Sequence, residues 1–143
     1  MGRRRRPFTL IELFISIGLI ALIGSVVLIR AKPMLDHYRF NHSYAKLKRE
    51  ITLSKRLAKT ATADIEFHIE QKGNNLICTR KTDEPLSPRV TPKATIKIPY
   101  LQLEGEKKVT ILITSSGWIE KDAVINIYLG NQRKTIDARL SLY

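Results

Sequence analysis

The chain begins with an almost uninterrupted apolar stretch. Residues 8–29 read FTLIELFISIGLIALIGSVVLI, and Glu12 is the one charged residue among them. At a rise of about 1.5 Å per residue, a helix of about 22 residues extends roughly 33 Å, which is enough to cross the hydrocarbon core of a bilayer. The pattern predicts a membrane-spanning helix. A carboxylate inside such a helix is costly, so Glu12 needs a functional reason.

Beyond this stretch, apolar residues recur at alternating spacings of four and three, which is the period of an amphipathic helix. Lys and Arg occupy the opposite face and are expected to be solvated. Pro33 interrupts the pattern and is expected to kink or locally open the helix near residues 29–33. We predict one broken helix from about residue 8 to residue 62. Its second half offers a domain an apolar stripe made of Phe40, Tyr44, Leu47, Ile51, Ser54, Ala58 and Ala61.

After Ala63 the hydrophobic period becomes two, which is typical of strands that bury one face. Turn residues are expected at 73–74, 115–117 and 130–131, and a loop with three prolines at 81–93. The predicted strands lie near residues 65–69, 75–80, 94–98, 109–114, 123–129 and 134–142. The expected fold class is α+β, with a long N-terminal helix packed on a C-terminal antiparallel sheet. The predicted segments are a basic leader (1–7), a transmembrane and assembly helix (8–30), its amphipathic continuation (31–62) and a β-sheet domain (63–143).

Charge gives the predicted membrane segment an orientation. The net charge is +12, and without the four arginines Arg3–Arg6 the remaining 21 basic and 13 acidic residues still leave +8. Basic flanks stay in the cytoplasm, so we expect the C-terminal domain on the other side. The apolar stretch is longer than a secretory h-region of about 7–15 residues and no small-residue cleavage pattern follows it, which favours an anchor over a removed signal. Cys78 is the only cysteine, so no intrachain disulfide forms, and we interpret it as a small strand residue.

The basic leader, the string FTLIEL at residues 8–13 and the apolar helix resemble the class III signal of type IV pilins and type II secretion pseudopilins. The resemblance implies that a prepilin peptidase cleaves between Pro7 and Phe8 and methylates the new amine of Phe8. It also implies that Glu12 is the carboxylate that lies near the amine of a neighbouring subunit. This chain departs from the family at Pro7, where the family has Gly. Either the cognate peptidase tolerates proline, or processing is slow or absent.

A physical argument agrees with this role for Glu12. Phe8 and Glu12 are about 6 Å apart along one helix, so a neighbour displaced by about one turn brings its amine beside the carboxylate. In hydrocarbon the pair neutralises two charges that are each costly alone. The alternative is that Glu12 snorkels to the cytoplasmic interface about one turn away.

The hydrophobic pattern of residues 47–69 and 109–117 resembles that of H-type minor pseudopilins and FimT-like pilins. The function implied is a structural subunit of a type II secretion pseudopilus, anchored in the inner membrane with its domain in the periplasm. The implied partners are other pilin or pseudopilin subunits, the prepilin peptidase, the lipid bilayer, the inner-membrane secretion platform and, indirectly, the cytoplasmic secretion ATPase.

Two other functions stay open. The chain could be a minor type IV pilin for DNA uptake or pilus assembly, or a generic single-pass membrane protein in which Glu12 is incidental. Some basic residues could contact the phosphates of DNA, or they could simply keep the domain soluble. They are Lys107, Lys108, Arg133, Lys134 and Arg139.

The sequence has no phosphate loop, no nucleophile motif and no metal-ligand spacing, so we predict no enzymatic activity, no cofactor and no metal site. Trp118 is either a contact residue at the tip of the domain or an anchor for the core or a turn.

Overall fold

A computed structural model describes residues 9–83, 93–120 and 123–140 of the chain. The chain divides into two compact units between His37 and Tyr38. Within the described residues there are one helix and seven strands. They are α1 (Leu10–Ala61), β1 (Ile65–Lys72), β2 (Asn75–Lys81), β3 (Lys93–Pro99), β4 (Gln102–Leu103), β5 (Lys108–Ile113), β6 (Val124–Leu129) and β7 (Gln132–Asp137).

Helix α1 continues through Pro33 without a break, so the predicted local opening at residues 29–33 is not observed. Proline removes one intrahelical hydrogen bond, and the turns on either side retain theirs, which is enough to keep the segment helical. The helix ends within one residue of the predicted position.

The C-terminus of α1 is closed by a Schellman-type cap. Thr62 has a positive φ of 52°, and the amide of Ala63 donates a hydrogen bond of 3.2 Å to the carbonyl of Ala58. This bond satisfies a carbonyl that the end of a helix otherwise leaves unpaired. Both alanines are buried, which supplies the hydrophobic contact that accompanies this cap. The cap turns the chain directly into β1.

The second half of α1 packs on the strands through one face, as the spacing predicts. Tyr44 is partly buried against the same core, and Ala61 is half-buried rather than buried. Ser43 is buried although it was not part of the predicted stripe, because the buried face is about one side chain wider than the spacing indicated. The buried residues of α1 are Phe40, Ser43, Leu47, Ile51, Ser54 and Ala58.

The strands form two antiparallel sheets rather than the single sheet that the sequence predicted. The four-stranded sheet has the order β3-β2-β1-β5, and the three-stranded sheet has the order β4-β6-β7. Two hairpins appear where turns were predicted, at residues 73–74 and 130–131. Gly73 and Gly130 have φ values of 60° and 58°, which glycine adopts without steric cost.

The chain changes sheets at Tyr100, whose φ is 57°. Strand β4 follows at once and was not predicted, because two residues are too few to show a hydrophobic period. Strand β7 ends at Asp137, earlier than the predicted 142, and residues 141–143 lie outside the described residues. So does most of the predicted loop at 81–93.

One hydrophobic core joins both sheets to the helix. Alternate residues of each long strand point into it, which confirms the period-two prediction and the α+β class with a helix packed on antiparallel sheets. The large buried strand residues include Ile65, Phe67, Ile69, Leu76, Ile98, Ile111, Ile113, Ile125 and Ile127.

Candidate functional site

The N-terminus of α1 is capped by Thr9. The amide of Glu12 donates to the Thr9 carbonyl at 3.1 Å, and it lies 3.4 Å from the Thr9 hydroxyl oxygen. Threonine followed three residues later by glutamate is the sequence pattern of a capping box, and an acid in the first turn also suits the helix dipole. The bonds observed use the backbone amide of Glu12 and not its carboxylate. This cap was not predicted, although the spacing Thr-x-x-Glu in the sequence could have revealed it.

The Glu12 side chain is exposed, and within the described part of the chain its carboxylate has no hydrogen-bond or ion-pair partner. Pro7 and Phe8, the predicted processing residues, lie outside the described residues.

The first part of α1, residues 10–29, is apolar on all sides apart from Glu12. Its large apolar side chains are between 48% exposed at Val26 and 74% exposed at Leu10 and Ile29. An 18-residue window of this helix has a mean hydropathy of 2.5 and no buried residue. A single helix of this kind is compatible with a single-pass membrane anchor.

The polar side chains of this segment bond to the helix itself. The Ser16 hydroxyl donates to the carbonyl of Glu12 at 2.8 Å, and the Ser25 hydroxyl donates to the carbonyl of Leu22 at 2.8 Å. Hydroxyls satisfied in this way need no water, so both serines are tolerated in hydrocarbon. Within residues 10–29, Glu12 is the one charged residue, and no bond of its carboxylate compares with those of the two serines.

The predicted DNA-contact residues fall on several elements. Lys107 lies in the loop before β5 and Lys108 begins β5, whereas Arg133 and Lys134 lie on β7 and Arg139 follows it. Arg139 lines a cleft between β5 and β6. The structure therefore places these five residues on both sheets, and their role in DNA binding stays a prediction.

Two of these residues have partners inside the domain. The guanidinium of Arg133 lies 3.1 Å from the carboxylate of Glu104. The amine of Lys134 donates to the Asn41 side chain at 2.9 Å and lies 4.7 Å from the centre of the Tyr44 ring. A cation over an aromatic face is attracted by the ring, so Lys134 ties β7 to α1.

The second half of α1 carries a basic face opposite its buried stripe. Arg49, Arg56 and Lys59 are exposed there, as the sequence predicted. Lys46 and Lys55 differ from that prediction, because the amine of Lys46 bonds to β3 and that of Lys55 bonds to residues that follow β7. The Lys46 amine donates to the carbonyl of Lys97 at 3.1 Å, and the Lys55 amine donates to the Arg139 and Leu140 carbonyls at 3.4 and 3.3 Å.

Partial burial lowers the pKa of Lys55, which Asp137 opposes and Lys59 reinforces. Lys55 thus helps to hold residues 139–140 against α1. Because its amine is already hydrogen-bonded, it is less available to a partner than the sequence suggested.

Trp118 is 76% exposed, so the interpretation as a core anchor is wrong. Its backbone does belong to a turn, because its carbonyl accepts a hydrogen bond of 2.9 Å from the amide of Thr114. Gly117 has a φ of 81° and packs against the side chain of Lys59. Backbone bonds and Gly117 hold the turn. The indole is therefore not needed as an anchor and lies on the surface.

Cys78 is buried on β2, as predicted for a small strand residue. Burial, reinforced by Glu50 and opposed by Lys46, raises the pKa of its thiol to about 12. A thiol in this state is a packing group and not a nucleophile at neutral pH.

Sequence analysis missed a polar chain across β1 and β5. The Glu66 carboxylate lies 3.1 Å from Nε2 of His68, whose Nδ1 lies 3.0 Å from the Thr110 hydroxyl. Residues 66 and 68 share the solvent face of β1, and Thr110 pairs with His68 in the register. The only signal in the sequence was that Glu66 and His68 lie two residues apart on one strand and therefore share a face. Within the described residues no group of three or more His, Cys, Asp and Glu could hold a metal ion.

Comparisons with protein-family models, with curated proteins and with solved structures find no match for this chain. The function therefore has to be argued from the helix and the domain themselves.

Proposed function

We propose that the chain is a structural subunit, of the minor pseudopilin type, of a type II secretion pseudopilus that supports protein export across the outer membrane. The observation that carries this proposal is the difference in burial between the two parts of α1. One 52-residue helix is exposed and apolar in its first part and supplies the core of an α+β domain in its second part. A filament subunit would use such a helix both for storage in lipid and for packing against neighbouring subunits.

Assembly depends on Glu12 in this proposal. The carboxylate lies in the first turn of α1 and has no partner among the described residues. A charge at the centre of a bilayer costs about 2.5–3.5 kcal/mol on insertion scales, and less near the interface. The freed amine of Phe8 in a neighbouring subunit would pair with it, so that association removes a cost that the isolated subunit carries.

The basic leader sets the orientation. Arg3–Arg6 would stay in the cytoplasm, and the domain from Tyr38 onward would face the periplasm. The partners would be sibling subunits, the prepilin peptidase and the inner-membrane secretion platform, and a separate cytoplasmic ATPase would supply the energy.

Mass spectrometry of the N-terminus of protein isolated from cells tests processing. The expected result is a chain that starts at Phe8 with a methylated amine. A Pro7→Gly variant should be processed at least as fast, because glycine restores the backbone freedom and the N–H that proline lacks. A chain that still starts at Met1 would support the generic membrane anchor instead.

Glu12→Ala tests assembly, with Ser16→Ala as its matched control one turn along the helix. Glu12→Ala should leave the protein in the membrane fraction and remove it from sheared filaments, whereas Ser16→Ala should assemble normally. Unchanged assembly of Glu12→Ala contradicts the proposed role of the carboxylate.

The charge of the chain favours a second candidate, a minor pilin that binds DNA. Outside the leader the net charge is +8, and the exposed face of α1 carries Arg49, Arg56 and Lys59. The full chain in detergent micelles should then retard duplex DNA at low salt and release it near physiological salt. Absence of retardation at low salt removes this candidate.

A further inference from the structure

The second half of α1 carries cations without partners. Residues 38–62 contain seven Lys and Arg and one Glu. Three of these cations contact the rest of the domain, because Lys46 and Lys55 bond to carbonyls and Arg39 lies over the ring of Tyr100. The other four have no side-chain hydrogen bond or ion pair within the described part of the chain. We call them the basic stripe, and they are Lys48, Arg49, Arg56 and Lys59.

The basic stripe is narrow and follows the helix axis. At 3.6 residues per turn and about 1.5 Å per residue, its four cations fall within an arc of about 100° and a length of about 17 Å. Ala45 and Thr52 lie in the same arc, and the Thr52 hydroxyl donates to the Lys48 carbonyl at 2.9 Å. Because these two side chains are small, a shallow depression of about 420 Å³ lies among the cations. Its lining residues are Ala45, Lys48, Arg49, Thr52, Leu53 and Arg56.

An exposed indole lies at one end of the basic stripe. The side chain of Lys59 packs against Gly117, and the α carbon of Trp118 follows about 3.8 Å further along the backbone. Ile119 is buried, and neighbouring residues of an extended segment face opposite sides, so Trp118 points away from the core. Its side chain is 76% exposed, and no cation or aromatic ring of the described residues covers it.

A row of free cations that ends in a bare aromatic ring is complementary to a single-stranded nucleic acid. Lys and Arg contact phosphates whatever the base sequence, and an aromatic side chain stacks on the face of an unpaired base. A duplex offers the same phosphates, but its bases are stacked on one another and leave no face for the indole. The sequence could not reveal this arrangement, because Lys59 and Trp118 are far apart along the chain.

An acidic polysaccharide fits the same surface less well. A sugar ring that covers an indole also needs hydrogen-bond partners for its hydroxyl groups, whereas the face of a base needs none. The hydroxyls of this turn are already engaged, because those of Thr114 and Ser116 lie 2.8 Å apart and Thr114 also donates to the carbonyl of Trp118. The turn therefore offers a ring face and a charge rather than a set of free hydroxyls.

We propose that the basic stripe and Trp118 bind a single-stranded nucleic acid, with its phosphates along the stripe and one base stacked on the indole. This activity goes beyond the filament function and uses neither Glu12 nor N-terminal processing, so it can fail while that function stands. It also differs from the duplex-binding candidate, which needs the charges of the chain but not Trp118.

Tryptophan fluorescence is the first test. Trp118 is the only tryptophan of the chain, so its emission reports on this site alone. The full chain in uncharged detergent micelles is titrated at low salt with a short oligothymidylate, with a duplex of the same length and with a polyuronate. The oligothymidylate should quench the emission, because a stacked base covers the indole. The duplex and the polyuronate should leave it nearly unchanged, even where they bind.

Salt dependence, measured by the anisotropy of a labelled oligothymidylate, separates the charges from the ring. Each phosphate contact to a single strand contributes about −0.7 to the slope of log affinity against log salt, so four predict about −2.8. Lys59→Gln should reduce the slope by about 0.7, whereas Lys108→Gln, the matched control on β5, should not change it. Trp118→Leu should weaken binding about 5- to 150-fold at an unchanged slope, and Trp118→Phe should recover most of that loss.

Several results would overturn the proposal. Absence of quenching by oligothymidylate at low salt would remove the stacked base, and equal quenching by the duplex would remove the preference for a single strand. Stronger quenching by the polyuronate would assign the surface to an acidic polysaccharide. A slope that Lys59→Gln leaves unchanged, or that Lys108→Gln reduces equally, would remove the basic stripe. Equal affinities of the unmodified chain and Trp118→Leu would remove the indole.

Discussion

The two halves of α1 are built from similar apolar residues and meet opposite surroundings. Between Leu10 and Leu35 the large side chains are exposed, whereas Phe40, Leu47 and Ile51 are almost completely buried under the strands. Burial of one large aliphatic side chain stabilises a protein by about 1.5–3 kcal/mol. The second half obtains this stabilisation within the chain. The first half buries none of its apolar window within the described residues, and in the proposed function it would obtain this stabilisation from lipid or from other helices.

The largest expected effect comes from truncating the buried half. Ile51→Ala should lower the free energy of unfolding of the domain by about 2–5 kcal/mol, because it leaves a cavity in a core shared by both sheets. Leu53→Ala, two residues along and 42% exposed, should change it by less than about 0.5 kcal/mol. Urea unfolding in micelles, followed by circular dichroism, measures both variants. Similar losses for the two would mean that the helix does not bury one defined face.

The next effect concerns the exposed half. Ile20→Arg should oppose membrane insertion by about 2.5–3.5 kcal/mol, while the domain keeps its unfolding midpoint. Leu53→Arg introduces the same charge on the exposed face of the second half and should insert normally. Membrane fractionation and domain unfolding are measured side by side. If Ile20→Arg stays fully in the membrane fraction, the first half of α1 is not a lipid-facing span.

A smaller effect is expected where the second half of α1 ends. Gly117→Ala should cost about 1–2 kcal/mol, because the residue has a φ of 81° and its new methyl group displaces the Lys59 side chain. Gly130→Ala has a similar φ of 58° and open space, so it reports the backbone cost alone. The difference in unfolding free energy between the two variants measures the contact with Lys59. No difference would show that Lys59 moves aside freely.

The smallest effect tests whether water is excluded from the core on which the second half of α1 packs. The pKa of Cys78 is about 12 in the folded chain, above its ordinary value of 9.0. Its protonated form therefore stabilises the fold below pH 9, and that stabilisation is lost as pH rises from 9 toward 12. Near neutral pH the folded protein should contain roughly a thousandfold less thiolate than the unfolded chain, so alkylation should be slow in micelles and fast in urea. Equally fast alkylation in both would contradict a buried thiol.

Sequence periodicity predicted most of the fold because each half of the molecule repeats one pattern many times. The helix shows its apolar stripe over several turns, and β1 alternates through Ile65, Phe67 and Ile69. The division into two sheets could not be predicted in this way. It depends on the left-handed conformation of Tyr100 and on the short strand β4, and neither leaves a periodic signal.

The candidate site was predictable only in part. Glu12 was identified because a charge in an apolar helix is conspicuous, whereas the capping contact of its amide with Thr9 was missed although the spacing Thr-x-x-Glu indicates it. Arg133 and Lys134 looked like free cations because pairing with Glu104 and Asn41 joins residues far apart in the chain. Arg80 is buried at a core-facing position of β2, and the strand pattern gave no reason to expect a charge there.

The bonds that close the domain connect its beginning to its end. Lys134 reaches Asn41 across 93 residues, and Lys55 reaches the carbonyls of Arg139 and Leu140 across 84 and 85. Contacts of such long separation form late, because the intervening loop must be ordered first. A nascent chain can build its first helix early and can pack β1 to β3 on it, but the bonds of Lys134 and Lys55 form only once β7 and the residues after it have left the ribosome. A product that stops before β7 therefore keeps its first helix but lacks the bonds that tie this helix to residues 134–140.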